Sequence, residues 1–330
     1  MKFPFSRSNH DDTNLHLFVA WFEELPTAAT PLAGGKGASL GNMTRAGLPV
    51  PPGFVVCAPG FRAFLEATGG VEVIVRSMAG LDVHTDASLN QAALSIREFI
   101  LSKPLPESLE KAIRNAYAKL GKDTSVAVRS SAISEDSEAA SFAGQQETFL
   151  NVRGAGAVVQ SVHACWASFF MPRSIFYRAK KGSLQDSEMA VVVQKMVKAD
   201  KSGVMFTRDP VNGQQDHMVV EAALGLGEVV VSGRVTPDHY IIDRNTGSLV
   251  RELVSVQPVA LVYDERRNGI REIELSEERG SARVLTDDEI QRLRALGLKL
   301  DQHFGKPQDI EWSIEKGDIY LLQSRPITTL

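Results

Sequence analysis

The stretch that decides the fold lies near the end of the chain, at residues 308–326, and reads QDIEWSIEKGDIYLLQSRP. Polar and apolar residues alternate on both sides of a short Glu-Lys-Gly segment, which is the pattern of two strands with a tight connection. We predict a three-residue loop around Gly317, in which Glu315 pairs with Ile319. The predicted strands of this β-hairpin are 308–314 and 318–323.

Four side chains of this hairpin are candidates for one site. Alternation puts Asp309 and Glu311 on one face of the first strand, and Gln323 and Arg325 on one face of the second. The predicted register sets Glu311 opposite Gln323, whereas a two-residue loop would send the two pairs to opposite faces. Oxygen ligands such as Glu311 and Gln323 suit Mg²⁺ bound together with phosphates, and Arg325 would then balance phosphate charge. A ladder of surface ion pairs is the alternative.

A glycine-rich segment, AGGKGASLG at residues 33–41, opens a predicted helix that ends near Gly47, before a run of prolines. The segment fails the P-loop pattern, because Thr30 and Gly37 stand where that pattern has Gly and Ser or Thr, and it also fails the dinucleotide fingerprint. Its glycines still let the backbone approach a ligand, and Lys36 at a helix N-terminus favours an anion. A helix C-cap cluster is the alternative.

A second candidate cluster follows a predicted buried strand at residues 125–129, which ends at Arg129. Small and polar residues fill positions 130–146, and a returning strand is predicted at 147–152. A hairpin with so long a tip is unusual in a compact domain. Arg129 followed by free backbone N–H groups suits a lid over a polyphosphate. A solvated hairpin tip is the alternative.

The rest of the chain alternates between helical and extended patterns. Apolar residues at three- and four-residue spacing predict helices between 58 and 121 and one long helix at 155–180. The C-terminal half is rich in strands, with a charged surface excursion at 264–281 and a capped helix at 287–304. We predict an arm with one helix at 1–30, an N-terminal lobe at 31–186 and a C-terminal lobe at 187–330.

Composition restricts the class of protein. The 330 residues carry a net charge of −4 and are 43% hydrophobic, which is typical of a globular protein and argues against a non-specific nucleic-acid binder. Cys57 and Cys165 are too far apart in sequence to indicate a zinc site. The sequence has no apolar run long enough for a membrane span and no secretory signal at its start, so we expect a cytoplasmic protein without a membrane partner.

Taken together, these clusters resemble the nucleotide-binding domain of the phosphoenolpyruvate synthase and pyruvate phosphate dikinase family. The resemblance implies an α+β, ATP-grasp fold, in which two lobes clamp ATP. The matching signatures occur in the family's order over residues 33–326, at 34–41 with 49–54, 128–136, 141–145, 203–210, 221–228, and 309–312 with 323–326.

The resemblance also implies a role for individual residues. Lys36 and Arg129 match the family's phosphate-binding pair, and Glu311 and Gln323 match its metal ligands. We expect Lys36, Arg129 and Arg325 to be the catalytic cations, and ATP and Mg²⁺ to be the cofactors. Further nucleotide-binding positions implied by the match are Gly144 and Gln145 over the phosphates, Gln194, Met196 and Val197 at adenine, Glu221 near the ribose, and Asp309 beside the metal ligands.

One expected feature of the family is missing from the sequence. Members transfer phosphate to a histidine in a Thr-Ser-His context, and none of the seven histidines here follows a serine. The chain ends four residues after Pro326, which leaves no room for an acceptor barrel. These features predict a split enzyme whose partner subunit carries the phosphohistidine and acceptor domains. Met1 and the leader at 1–30 favour a separate gene product.

The predicted function is that of an ATP-binding component of a dikinase, inactive in the full reaction without its partner. The resemblance implies conversion of ATP to AMP and phosphate, with a phosphoryl group passing finally to pyruvate or, as in a two-component phenylphosphate synthase, to phenol. The alternatives are an excised domain of a full-length synthase or of a rifampicin phosphotransferase-like enzyme, and a non-catalytic nucleotide-sensing module. An ATP-dependent ligase, which would release ADP, is a further rival.

Overall fold

A computed structural model of the chain describes residues 18–133, 147–180, 188–211, 216–264, 266–267 and 269–327. The predicted leader up to residue 17 and the phosphate-loop residues Gly144 and Gln145 lie outside the described residues. Within the described part, no helix is both long and apolar enough to cross a bilayer.

The N-terminal lobe is built on a five-stranded antiparallel sheet in the order β1-β2-β5-β3-β4. Apolar and β-branched residues dominate its central strands, and β5 is buried along nearly its whole length. The strands are β1 (Val19–Trp21), β2 (Gly53–Val56), β3 (Val126–Ala132), β4 (Thr148–Val152) and β5 (Met189–Lys195).

Helices cover one face of this sheet, and their apolar residues form the lobe's main core together with Val128, Val191 and Val193. The aromatic side chains of Phe61 and Trp166 stack at the centre of this core, with ring centroids 5.0 Å apart. The helices are α2 (Ala58–Thr68), α3 (Gly70–Met78), α4 (Asp86–Ser102), α5 (Glu107–Leu120), α6 (Ala155–Ser168) and α7 (Pro172–Lys180); α1 (Thr30–Arg45) packs on the other face.

The C-terminal lobe is built on a six-stranded antiparallel sheet in the order β13-β12-β6-β7-β8-β9. One face of this sheet packs on α10 and α1 through a second core that contains Trp312 and Leu293. Its elements are β6 (Lys201–Phe206), β7 (His217–Leu224), α8 (Glu228–Val231), β8 (Asp238–Asp243), β9 (Leu249–Leu253), α9 (Glu277–Gly280), α10 (Asp287–Phe304), β12 (Gln308–Glu315) and β13 (Asp318–Pro326).

A separate two-stranded ribbon, β10 (Val259–Asp264) and β11 (Gly269–Glu274), belongs to neither large sheet. The ribbon overlaps the first part of the segment 264–281, for which the sequence predicted a charged surface excursion. The capping box predicted for α10 is confirmed, because the Thr286 side chain accepts the Glu289 backbone N–H and the Glu289 carboxylate accepts that of Thr286. The two-lobed α+β architecture agrees with the ATP-grasp fold that the resemblance implies.

Three local predictions differ from the structure. The aromatic segment after residue 17 forms strand β1 and a single 3₁₀ turn at Phe22–Glu24, not a helix, because its backbone pairs with β2. The predicted helix at 155–180 is two helices, since Pro172 begins a new one. The strand 189–195 belongs to the first sheet, so the change of sheet occurs between Lys195 and Lys201, several residues after the division at 186/187 drawn from the sequence.

Candidate nucleotide site between the lobes

The terminal hairpin has the predicted pairing at its functional end and a different one at its turn. Glu311 lies opposite Gln323 and Asp309 opposite Arg325, as predicted. The predicted pairing of Glu315 with Ile319 is wrong, because Glu315 pairs with Asp318. The turn therefore contains two residues, Lys316 and Gly317, both with positive φ (52° and 85°), as type I′ hairpin turns require.

A β-bulge explains why the pairing at the Glu311 end of the hairpin is the predicted one although the turn is one residue shorter than predicted. The register shifts by one residue between Glu311 and Trp312, since Trp312 pairs with Leu321 and Glu311 with Gln323, so that Leu322 is the extra residue. Without that bulge, the two-residue turn would put Leu322 opposite Glu311 and would turn Gln323 toward the core. The bulge therefore keeps both candidate metal ligands on one face.

The two candidate ligands begin a row of side chains that crosses the second sheet. Glu311 is paired with Val204 on β6, and Val204 with Glu221 on β7. Because neighbouring strands lie about 4.8 Å apart, Glu221 lies roughly 10 Å from Glu311 on the same face. The row continues to His239 on β8, which the sequence did not single out. Glu221 thus shares a surface with the metal candidates but lies two strands away from Glu311.

Asp309 and Arg325 form the next row of the hairpin. Both Nε and Nη2 of Arg325 lie 2.8 Å from Oδ2 of Asp309. Burial raises the pKa of Asp309, and the neighbouring Glu311 carboxylate adds to this effect, whereas the Arg325 charge and hydrogen bond oppose it. The Arg325 side chain is about half exposed, so its guanidinium also faces solvent.

Arg129 reaches from the first lobe to the hairpin of the second. It lies on β3, and its Nη1 is 3.9 Å from Oε2 of Glu311 and 3.4 Å from the carbonyl oxygen of Leu322, the bulge residue. Its side chain is 13% exposed, so this cation is largely enclosed between the lobes. The predicted phosphate cation and the predicted metal ligand are thus in direct electrostatic contact.

Lys36 lies just after a break in α1. Gly34 has φ 66° and ψ 176°, so the helix is interrupted there and resumes at Gly35. The Ser131 hydroxyl accepts the Gly37 N–H at 3.1 Å and donates to the Ala33 carbonyl at 2.8 Å, which joins both sides of the break. The sequence predicted that a helix starts within this segment. This is correct for the part of α1 that begins at Gly35, but another helical turn precedes the break.

Ser131 also links Lys36 to Arg129. Residues two apart on a strand share a face, so Ser131 and Arg129 point to the same side of β3. Since Ser131 bonds the residue that follows Lys36, the two predicted phosphate cations come from adjacent backbone segments. The same helix is tied to the hairpin, because the Ser39 hydroxyl donates to the Ser324 carbonyl at 2.7 Å. The glycine-rich segment around Lys36, strand β3 and the terminal hairpin are therefore in contact with one another.

The linker between the lobes, residues 196–200, borders a cavity of about 530 Å³. Met196 and Val197, for which the resemblance implied a place at adenine, line it together with Tyr320 from the cleft side of β13. Gln194 does not line it: its side chain is 2% exposed, and its Nε2 has no hydrogen-bond partner among the described residues. The hairpin turn is docked on the linker, since Glu315 accepts the Lys198 N–H at 3.0 Å.

Three residues of this cavity were missed from the sequence. Tyr263 of β10 has the Arg153 guanidinium carbon 5.3 Å and the Lys198 ammonium 5.0 Å from its ring centre, within cation–π range. Arg153 also donates to the Tyr263 hydroxyl, and so connects the first lobe to the ribbon. These residues are far apart in sequence, and only an arginine directly after a predicted strand end could have drawn attention to one of them.

Comparison with known proteins identifies the family of this chain. Residues 30–330 match the model of the pyruvate phosphate dikinase, AMP/ATP-binding domain. The chain is 47% identical over 319 residues to a probable phosphoenolpyruvate synthase of Methanocaldococcus jannaschii, and 46% identical over 320 residues to one of Methanothermobacter thermautotrophicus, with 95% of the chain covered in each case. Among solved structures, biotin carboxylase from Campylobacter jejuni matches 89% of this chain and 40% of its own, with 12% identity and a TM-score of 0.36.

The chain spans only part of the relatives, namely 27% of the Methanocaldococcus protein and 46% of the Methanothermobacter protein. The match is nevertheless continuous over the loop, the strand and the terminal hairpin described above. The chain belongs to the family of pyruvate phosphate dikinase AMP/ATP-binding domains.

Proposed function

We propose that the chain binds Mg·ATP between its two lobes and, as the ATP-binding component of a dikinase, phosphorylates a histidine on a separate subunit. The observation that carries the proposal is the contact of Arg129 from one lobe with Glu311 of the other, where Glu311 lies opposite Gln323. Membership of the AMP/ATP-binding family supports the choice of nucleotide.

The donor set on the hairpin fits Mg²⁺. Glu311 offers a carboxylate that is 39% exposed, and Gln323 directly across the ladder offers an amide oxygen. A site with two oxygen ligands from the protein suits Mg²⁺, which usually completes its octahedron with water and phosphate oxygens. When bound, the ion supplies charge neutralisation on the phosphate chain. Asp309 would hold Arg325 beside these ligands.

The cations would position the phosphate chain. Phosphoryl transfer depends mainly on positioning and on electrostatic stabilisation, so Lys36, Arg129 and Arg325 are the residues proposed to act on the phosphates. Lys36 and Arg129 approach from the first lobe and Arg325 from the second, which supports a phosphate chain held between them. Gly144 and Gln145 are proposed to cover the phosphates from the segment outside the described residues.

The cavity beside the linker would take the base. Met196 and Val197 line it, and Glu315 marks its position along β12, four residues from Glu311. At about 3.4 Å per residue, this separation is close to 13 Å, which suits the length of ATP between base and terminal phosphate. Gln194 is proposed to act from beneath the linker with its amide nitrogen, which has no hydrogen-bond partner among the described residues, and Glu221 to contact the ribose.

The complete reaction needs groups from another polypeptide or domain. In the proposed reaction, ATP, water and the acceptor give AMP, inorganic phosphate and the phosphorylated acceptor, with the partner's histidine carrying the phosphoryl group in between. The relatives' name, phosphoenolpyruvate synthase, favours pyruvate as acceptor over phenol. We propose a cytoplasmic enzyme whose remaining domains are on a separate subunit, with a fused arrangement as the alternative.

Radiolabelled ATP tests the proposal. The chain is incubated with Mg²⁺, [β-³²P]ATP and an extract of its source cells, alongside Lys36→Ala and the control Lys119→Ala, an exposed lysine on α5. We expect AMP and an acid-labile, base-stable label on a second polypeptide with the wild type and the control only. ADP as the product would favour a ligase, and nucleotide binding without any labelled polypeptide would favour a sensing module; either result contradicts the proposal.

A further inference from the structure

The outer edge of the second sheet is apolar and exposed. Strand β9 is the last strand in the sheet order, and among the described strands it has a neighbour on one side only. Natural edge strands are commonly protected by Lys, Pro or a covering element, but the segment 248–256 contains neither Lys nor Pro. Its exposed apolar residues are Leu249 (38%), Val250 (51%), Leu253 (54%), Val254 (38%) and Val256 (66%).

The sequence of this edge is chemically palindromic. Residues 248–255 read Ser-Leu-Val-Arg-Glu-Leu-Val-Ser, so the order of small polar, apolar and charged residues is mirrored about the centre, with opposite charges at the two middle positions. In an antiparallel pairing of two copies about that centre, Arg251 lies opposite Glu252 and Val250 opposite Leu253. Each contact occurs twice, as two-fold symmetry requires.

We propose that β9 pairs with β9 of a second copy of this chain, in the register that sets Arg251 of each copy opposite Glu252 of the other. The pairing extends the six-stranded sheet across the two-fold axis and sets the exposed apolar residues of one copy beside those of the other. Opposite charges directly across a ladder stabilise it, and like charges destabilise it. Arg251 has no ion-pair partner within the described residues, whereas Glu252 is 2.8 Å from Arg283, so Arg251 of the second copy would extend that pair into a network.

The backbone of β9 permits this register at its centre. Arg251, Glu252 and Leu253 pair regularly with β8, and the bulge in β9 falls at Val250, away from the central charges. Four strand spacings, roughly 19 Å, separate β9 from β12, and two spacings, roughly 10 Å, separate it from Glu221 on β7, so no residue of the candidate nucleotide site lies on the proposed interface strand. The proposal therefore stands or fails independently of the proposed function.

A charge exchange between two variants tests the proposal. Arg251→Glu places like charges opposite each other in both central pairs, and Glu252→Arg does the same with the opposite sign. A mixture of the two variants restores two attractive pairs, because every central pair then joins a glutamate of the first variant to an arginine of the second. The mass of the full chain is measured by light scattering and by sedimentation, at concentrations up to hundreds of micromolar.

We expect a wild-type dimer with an affinity in the micromolar range, monomers of each single variant, and dimers in the equimolar mixture. Circular dichroism and urea unfolding establish that each variant is folded. A wild-type chain that is monomeric at the highest concentration overturns the proposal. Single variants that remain dimeric, or a mixture that stays monomeric, overturn the interface or its register.

Discussion

Ser131→Ala should both destabilise the protein and weaken its binding of Mg·ATP. Ser131 is fully buried, and its hydroxyl makes two hydrogen bonds across the helix break, to the Gly37 N–H at 3.1 Å and to the Ala33 carbonyl at 2.8 Å. A buried polar group that loses its partner costs about 1–3 kcal/mol, so two such groups predict a loss of about 2–6 kcal/mol in the free energy of unfolding.

The effect on binding follows from the position of Lys36. Residue 37, whose N–H is released, is the direct neighbour of Lys36, so the start of the second helical segment becomes less well fixed. We expect an increase in the Kd for Mg·ATP of about tenfold, which corresponds to about 1.4 kcal/mol. Urea unfolding measures the first quantity, and isothermal titration calorimetry the second.

Ser168→Ala is the matched control. Ser168 is also buried in the first lobe, but its hydroxyl makes a single hydrogen bond, to the Cys165 carbonyl at 2.7 Å at the end of α6. We expect this variant to lose about 1 kcal/mol of stability and to bind Mg·ATP normally. If Ser131→Ala retained the wild-type unfolding free energy, or lost stability without any change in Kd, the link between the helix break and Lys36 would be refuted.

Three further predictions concern the break, the hairpin and a buried ion pair. Gly34→Ala should destabilise the protein more than Ser131→Ala does, and the difference between their free energies of unfolding in urea should exceed about 3 kcal/mol. The reason is that the added Cβ would lie 2.2 Å from the Ser131 carbonyl oxygen, at a residue with a positive φ. Equal stability of the two variants would contradict this prediction. Glu311→Gln should weaken calorimetric binding of Mg·ATP far more than that of metal-free ATP, and an equal loss for both would remove Glu311 from the metal site. Burial opposes ionisation of Glu289, but hydrogen bonds from Lys201 and Thr286 and the charge of Lys201 outweigh it and lower the pKa of Glu289. The stability that Glu289 adds over Glu289→Gln should therefore be present near neutral pH and be lost as the pH falls through this lowered pKa; a difference that persists once Glu289 is protonated would contradict this assignment.

The terminal hairpin illustrates what alternation can predict. The period of two assigned Asp309 and Glu311 to one face of β12, and Gln323 and Arg325 to one face of β13. The predicted register then brought these two faces together, and the structure has the same pairing there. The turn was predicted wrongly, because a bulge in one strand compensates for a turn that is one residue shorter. Both arrangements give the same pairing at Glu311, so alternation at the site could not distinguish them.

The glycine-rich segment shows a different limit. The sequence indicated a helix N-terminus near Lys36 but missed the helical turn that precedes it, although Pro31 is of a residue type that is favoured in the first turn of a helix. The interruption at Gly34 depends on Ser131, which is nearly a hundred residues away in the chain. A contact of that kind follows from the packing of α1 on β3, which no local pattern encodes.

The cavity was least accessible to sequence reasoning. Arg153 and Tyr263 come from different lobes, and neither belongs to a motif that the residue pattern alone marks as functional. Met196 and Val197 of the linker were proposed only through the family resemblance, because the apolar pattern alone predicted a strand that continues to Met196. The groups around it could not, since their proximity results from how the ribbon packs against the first lobe.

A crystal structure of the chain with Mn²⁺ and a non-hydrolysable ATP analogue tests the central claim most directly, because the anomalous signal of manganese locates the ion. The account predicts one peak within about 2.0–2.3 Å of a Glu311 carboxylate oxygen and of the Gln323 amide oxygen, with phosphate oxygens beside it. A nucleotide bound between the lobes with its metal elsewhere, or with Glu311 and Gln323 both outside the coordination sphere, would contradict the account.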